Sequence, residues 1–398
     1  MSPSRPRVLL APDKFKGSAS AGAVADALAD GLERSAPHAI VTRRPIADGG
    51  DGTVAVLLEA GYQPLTVTAA DVLGLARETT VATKARRAVV ELASTCGIAQ
   101  LGLRREPLRS TSLGLGLAVR AVIAAGYCDI VVGLGGSAST DGGLGLLTAL
   151  GARGFDVDGA PVTPDGAGLL RLVDLDVSGL RFPRSVHLRL ACDVDAPLHG
   201  PRGAAEVFAP QKGVSRDLVV ELDAALFRLG RILEHRCGTD PSQLPGAGAA
   251  GGVAGAAAAA LGAVIIPGAE FVLAATDFDA ALNDADLVIT GEGSWDRQSA
   301  MGKGPGVVLQ RAREAAVPVV VVAGQIEPGS LEEVDAAMTV SLIDAAGSAD
   351  RAISDVLPLL RRAGCTVGRA LPRLIASSHP ARHQRGSRLA IGTVYPVG

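Results

Sequence analysis

Aromatic side chains are scarce in this chain: three Tyr, seven Phe and one Trp make up only 3% of 398 residues. Modules that read unpaired nucleic-acid bases stack them on exposed aromatics, so the scarcity argues against such a module. It also leaves Ala, Val and Leu to build the core. An excess of one charge is missing too. The 38 basic and 41 acidic residues leave a net charge of −3, which is no electrostatic footprint for DNA, RNA or an anionic membrane. The cysteines Cys96, Cys128, Cys192, Cys237 and Cys365 lie far apart without a C-x-x-C pair. They read as reduced, mostly buried thiols. The histidines show no metal-ligand spacing, which argues against zinc. The Walker pattern Gly-x4-Gly-Lys-Ser/Thr is absent. Met1 to Pro6 is short, polar and basic, and Val8 to Ala11 is too brief for the apolar part of a signal peptide. The stretch Gly246 to Pro267 has about membrane length but is mostly Ala and Gly, too weakly hydrophobic to span. A cytoplasmic protein is expected.

The chain does have length and apolar content for two domains, with 48% hydrophobic residues. Val8 to Ala11 reads as a short strand, followed by a loop and a helix to about Arg34 that Ser18 or Ser20 can cap. Val24, Leu28 and Leu32 give that helix one buried stripe. A second strand is expected around Ala39 to Thr42 and a helix at Thr53 to Ala60. Near the far end, strand Asp286 to Thr290, helix Pro305 to Ala315 and strand Pro318 to Ala323 form a βαβ unit. Both ends therefore read as parts of one doubly wound parallel sheet. Between them, strand-like runs at Leu65 to Ala69, Ala88 to Leu92, Ile130 to Leu134 and Val186 to Cys192 mix with Gly/Ala-rich stretches. The expectation is an α/β protein. A discontinuous Rossmann-like domain (1–62 plus 285–374) is interrupted by an inserted α/β domain (63–284), a cleft between the two is the natural site, and a solvated tail runs over 375–398.

The chemistry lies in glycine-flanked acid clusters. Asp48-Gly49-Gly50-Asp51-Gly52-Thr53 follows a strand and precedes a helix; beyond a helix cap, its acids suit Mg²⁺ or a base for a hydroxyl. Gly133-Leu134-Gly135-Gly136-Ser137-Ala138-Ser139-Thr140-Asp141-Gly142-Gly143 carries more hydroxyls than a structural turn needs. Its Ser and Thr side chains with local N–H groups suit phosphate, and Asp141 suits a metal. Asp13-Lys14-Phe15-Lys16-Gly17-Ser18 sits where an open α/β sheet faces its ligand crevice, before a helix N-terminus that favours anions. Asp193 and Asp195 share one face of a strand end. Pro210-Gln211-Lys212-Gly213 reads as a turn or a substrate contact. Pro245 to Gly252 reads as close helix packing or, with a slight preference, a phosphate-facing helix start. Glu292 follows a strand end, and Lys303 stands two residues before a helix start. Together these features suit phosphoryl transfer from a metal–nucleotide. A weaker competing pattern is Gly133-x-Gly135-x-x-Ala138, an echo of the dinucleotide fingerprint with Asp156 and Asp158 near the ribose-binding spacing.

The phrases APDKFKGS (11–18), ADGGDGT (47–53), GLGGSASTDGGLGLLTALG (133–151), DVDAPLHGPRGAAEVFAPQKG (193–213), PGAGAAGGVAG (245–255) and ADLVITGEGSWDRQSAMGKGP (285–305) resemble, in order, the type I glycerate kinases. The resemblance runs from about residue 7 to 345. It implies an ATP- and Mg²⁺-dependent kinase that converts D-glycerate to 2-phosphoglycerate. It also implies a Rossmann-like domain interrupted by a second α/β domain. Phosphorylation at the 3-hydroxyl, a related hydroxy acid as acceptor, and a binding-only relative are the alternatives. The chain departs from the pattern at Ser294-Trp295 (usually Arg-Leu or Arg-Ile), at Ser299 (usually Thr) and at Val307 (usually Gly), and loss of that Arg removes an anion contact.

On this reading Lys14, Lys16, Asp48, Asp51 and Asp193 are the catalytic candidates. Gly135, Gly136, Ser137, Ser139, Thr140, Glu292 and Lys303 are placed on ATP phosphates. Ser18, Gln211 and Lys212 are placed on substrate, and Asp141 and Asp193 on metal. The expected partners are D-glycerate and ATP, with no nucleic acid and no membrane, and a homo-oligomer is compatible with the sequence.

Overall fold

The computed structural model describes residues 5–102, 105–300, 304–330 and 334–376. Lys303 and residues 377–398 of the expected tail lie outside them. The chain divides into two compact units, Met1–Ile46 with Asp277–Gly398, and Ala47–Thr276.

The first unit holds a five-stranded parallel sheet. Its strands run in the order Met338–Ser341, Val319–Ala323, Leu287–Gly291, Arg7–Pro12, Ile40–Arg43. Leu287–Gly291 and Val319–Ala323 are buried at every position, as expected of parallel strands covered on both faces. The helix Ala21–Ser35 starts at Ser20, whose hydroxyl accepts the Ala23 N–H at 3.2 Å. The expected strands and the Thr53 and Pro305 helices agree with the structure to within one or two residues. The sequence reading did not single out the helix Val356–Ala376. Its Leu360, Val367 and Leu371 pack with Leu28 and Leu32 in the core of this unit.

The second unit holds a six-stranded mixed sheet in the order Val264–Ile266, His187–Ala191, Asp129–Gly133, Arg87–Glu91, Ala76–Lys84, Gln63–Ala70. The first four strands are parallel. Ala76–Lys84, which was not expected, pairs antiparallel with both of its neighbours. Glu91, Gly133 and Ala191 are in register, and Ala191 is in register with Ile266. The parallel strands therefore end along one line. A second core of Leu144, Leu147, Leu222, Leu226 and Leu229 lies around the long helix Arg216–Cys237.

Residues 47–62, expected in the first unit, pack with the second. The helix Thr53–Glu59 has Gly52 as its N-cap with no side-chain bond from it. Instead Glu91, at a strand end of the second sheet, accepts the Val54 N–H at 3.0 Å. Residues 277–284, expected in the insert, join the first unit, where Asp284 pairs with Arg7 at 3.0 Å and Asp279 with Arg311 at 3.2 Å.

No helix among the described residues is long and apolar enough to cross a membrane. All five cysteines are free. Only Cys96 is fully buried; the other four are half-buried.

Candidate active site

In the second unit, a loop that leaves the aligned strand ends packs backbone on backbone against the 47–53 loop. A Cβ placed on Gly135 would lie 2.6 Å from the Gly50 Cα, and one on Gly133 would lie 2.3 Å from the Gly49 carbonyl oxygen. Only glycine permits that approach. Glycine here serves loop-on-loop packing first, and this packing brings the 47–53 loop against the 133–136 loop. Asp48 Oδ1 accepts the Gly50 N–H at 3.0 Å, and Thr53 Oγ1 donates to the Gly50 carbonyl at 2.7 Å. Asp51 is exposed and Asp48 half-buried.

Asp193 follows the strand His187–Ala191. Its Oδ1 accepts the Gly268 N–H at 2.6 Å and its Oδ2 the Ala269 N–H at 3.0 Å, which caps the helix Gly268–Ala275. Burial raises its pKa to about 6, and the nearby Asp48 and Glu270 charges push it the same way, against the pull of the two N–H groups. The Asp48 charge therefore acts on Asp193.

The hydroxyl loop is built differently. Gly136 is exposed and Ser137 half-buried, whereas Ser139 and Thr140 are buried. Among the described residues, Ser139 Oγ and Thr140 Oγ1 have no hydrogen-bond partner. Beneath them lies Lys212, only 3% exposed. Its Nζ donates to Ser137 Oγ at 3.2 Å and to the Ser139 carbonyl. Burial lowers its pKa to about 8. Lys212 was expected to touch substrate; its amine is held by the loop, bonded to Ser137 and Ser139. Its neighbour Gln211 is exposed. The turn Pro210–Lys212 ends at Gly213, whose φ of 92° closes it.

Asp141 is fully buried. Its Oδ2 accepts the Ser112 N–H and hydroxyl, both at 2.7 Å, and the Gly145 N–H at 3.2 Å; Oδ1 accepts the Gly143 N–H at 3.1 Å. Three of these bonds fall on Oδ2 and one on Oδ1, and together they fasten the loop. Burial pushes its pKa up against these four bonds. Residues 245–252 pack closely, since a Cβ on Gly251 would lie 2.3 Å from the Ser139 carbonyl oxygen.

The dinucleotide echo also loses its basis. After the strand Asp129–Gly133 the next helix begins only at Leu144, so Gly133-x-Gly135-x-x-Ala138 opens a loop and not a helix. Asp156 is paired with Arg171.

A cavity of about 580 Å³ opens beside the first acid loop, lined in part by Asp51, Glu91, Ser94, Thr79 and Arg77. A larger one of about 790 Å³ lies where the strands begin, around Arg87, Asp129 and Arg189. Chemistry outweighs size here: in parallel α/β sheets ligands bind beyond the carboxyl ends of strands, and the acids and hydroxyls lie at that end. The sequence reading missed Glu91. The strand-end rule applied to Ala88 to Leu92 would have found it.

The first unit repeats the arrangement. Pro12 and Gly291 are in register, and Asp13 donates its N–H to the Gly291 carbonyl at 2.8 Å. Asp13 is 8% exposed, and its Oδ1 accepts the Lys14 N–H at 2.6 Å; this acid too was missed, although it opens the motif. Lys14 and Ser18 are half-buried and Lys16 is exposed. Glu292 is half-buried, and its carbonyl accepts the Gly324 N–H at 3.1 Å, which ties together two loops at the same sheet edge. Trp295 is fully buried beside Val321 and Ala323, against Leu309 and Ile326, and Ser294 is exposed. Ser299 and Asp296 cap each other's backbone N–H at 2.9 and 3.1 Å.

Among the described residues, no group of three or more His, Cys, Asp or Glu is placed to hold a metal ion.

Known proteins are similar to this chain over most of its length. The model of the "Glycerate kinase family" matches residues 8–372. A Bacillus subtilis protein named glycerate kinase is 38% identical over 335 residues, 81% of this chain and 86% of that protein. An Escherichia coli protein named glycerate 2-kinase is 35% identical over 373 residues, 92% and 98% of the two chains. A crystal structure of a candidate glycerate kinase 2 from Salmonella typhimurium LT2 superposes with a TM-score of 0.77 at 36% identity, covering 92% of this chain and 98% of that one.

Proposed function

The chain belongs to the glycerate kinase family, a family of ATP-dependent phosphotransferases, and from that premise we propose that it phosphorylates D-glycerate at the 2-hydroxyl. The observation that carries this reading is the line of strand ends in the second unit, where the loops bearing Ser137 and Asp193 leave side by side and the 47–53 loop with Asp48 packs against the first of them.

The substrate hydroxyl attacks the γ-phosphorus of ATP. A new O–P bond forms as the β–γ bridging P–O bond breaks, and ADP leaves with that oxygen. The hydroxyl proton passes to Asp48 or Asp51. Backbone and hydroxyl groups from Gly135 to Thr140 hold phosphate oxygens. Lys14 and Lys16 hold an anionic group of substrate or nucleotide, with Ser18 beside them and Gln211 as a further substrate contact. Glu292 and Lys303 serve the nucleotide phosphates. Mg²⁺ is commonly held by one or two carboxylates plus substrate phosphates. The half-buried pair Asp48 and Asp193 fits that demand better than the fully buried Asp141, whose Oδ2 already accepts three bonds. When bound there, the ion neutralises charge on the transferring group. The chain's own part is positioning and charge complementarity.

A coupled ADP-release assay with Mg-ATP and D-glycerate tests this, with the product identified by phosphorus–proton coupling. Release of ADP with 2-phosphoglycerate is expected. Release with 3-phosphoglycerate overturns the regiochemistry, and a folded protein that binds ATP without turnover overturns the activity. Full turnover in both Asp48→Asn and Asp51→Asn removes these acids from the mechanism.

A further inference from the structure

The least expected side chain in the second unit is Lys212. Burying an ammonium is costly unless it is paired. Among the described residues this one bonds only to neutral groups, the Ser137 hydroxyl and the Ser139 carbonyl. Two other ionisable groups face it, and the Asp141 charge supports the ammonium without a hydrogen bond to it. The Cys96 thiol is pushed up to about 12 by burial and so stays neutral. Asp141 directs its oxygens to Ser112, Gly143 and Gly145.

The cation is aimed at one feature, the loop of hydroxyls. The Ser139 carbonyl accepts from Lys212 and, at 3.2 Å, from Ser137 Oγ. Both bonds turn that carbonyl inward, which takes a partial negative charge off the face an anion approaches. Gly136 and Ser137 keep the outer side of the loop accessible, while Ser139 and Thr140 bring buried hydroxyls that have no hydrogen-bond partner among the described residues.

We propose that Lys212 is a positioning residue for the nucleotide: from the inner side it shapes the Ser137–Thr140 loop to receive phosphate oxygens and supplies the positive charge those oxygens meet. This rests on the reading of that loop as the phosphate cradle. Lys212 touches neither substrate nor nucleotide. Its effect passes through the Ser137 hydroxyl, the Ser139 carbonyl and the field of a desolvated charge, which water screens little.

The test uses the full chain with Lys212→Met, Lys212→Gln and Lys212→Arg, and separately Ser137→Ala combined with Ser139→Ala. Initial rates give KM for Mg-ATP and for D-glycerate, and calorimetry gives the affinity for ADP alone. In Lys212→Met, nucleotide affinity is expected to fall about tenfold or more, with KM for D-glycerate changed by less than about twofold. Lys212→Gln, which keeps a donor without the charge, is expected to stay weak, and Lys212→Arg to recover part of the loss. A change in KM for D-glycerate alone overturns the proposal in favour of an acceptor contact. Unchanged kinetics in a folded Lys212→Met overturns it in favour of packing, as does failure of all three variants to fold. If the double serine variant leaves ADP affinity unchanged, the cradle reading itself fails. If that variant weakens ADP binding and the Lys212 variants do not, only the role of Lys212 fails.

Discussion

The carboxylate of Asp193 accepts the Gly268 backbone N–H at 2.6 Å while the Asp48 charge acts on it from the neighbouring loop. One acid thus serves as a helix cap and as one half of a charged pair. The two demands pull its ionisation in opposite directions.

The opposition sets a pH dependence. The folded-state pKa of Asp193 is about 6, above its usual 3.8. Between these values the folded state binds more protons than the unfolded one, so the contribution to stability is complete below the lower value and is lost as pH rises through the upper one. Urea unfolding of the wild type and of Asp193→Asn between about pH 4 and 7 checks this: the wild type should lose stability relative to the variant as pH rises. Turnover should increase over the same range as the carboxylate ionises.

Gly135→Ala tests the backbone contact. Its Cβ would stand 2.6 Å from the Gly50 Cα, and neither backbone can swing aside as a side chain end does. A stability loss of about 1–3 kcal/mol is expected from overpacking. The fall in kcat/KM should be larger, about a hundredfold, because the acid loop and the hydroxyl loop are forced apart. Denaturant unfolding and initial rates on the same sample separate the two effects.

Asp141→Ala separates a staple from a metal ligand. Four donors from Ser112, Gly143 and Gly145 lose their acceptor. Leaving buried donors unsatisfied costs about 1–3 kcal/mol each. A large drop in Tm is therefore expected, with or without Mg²⁺. A stable variant with only a raised Mg²⁺ requirement would return Asp141 to the metal.

Trp295 fills the core beside Val321 and Ala323 with an indole N–H that has no partner among the described residues. Trp295→Phe keeps most of the volume and deletes that donor, so its cost should stay below about 1.5 kcal/mol. Trp295→Ala should cost about 3–5 kcal/mol. Equal losses in the two variants, measured by chemical unfolding, would show that the donor matters.

The sequence carried the local part of the design. Alternating loops and apolar runs located the parallel strands around Leu10, Ile289 and Val321, because a strand buried on both faces must be apolar throughout. The acid and glycine clusters were visible because both residue types are costly away from turns and sites. Register was not visible. Glu91 looks like the end of an ordinary strand until Gly133 and Ala191 are aligned with it. The break between units was misplaced for the same reason: the partner of Val54 lies 37 residues further along.

The amino-acid sequence by itself determined the family, the α/β class and which residue types could do the chemistry, since periodicity, turn residues and ordered motifs are properties of the chain. Only the tertiary structure decided what each charge faces. Asp141 and Lys212 look like ligand contacts in a line of letters, yet folding carries both beneath the loop. There desolvation and hydrogen bonding, which depend on neighbours distant in sequence, make one a staple and the other a buried cation.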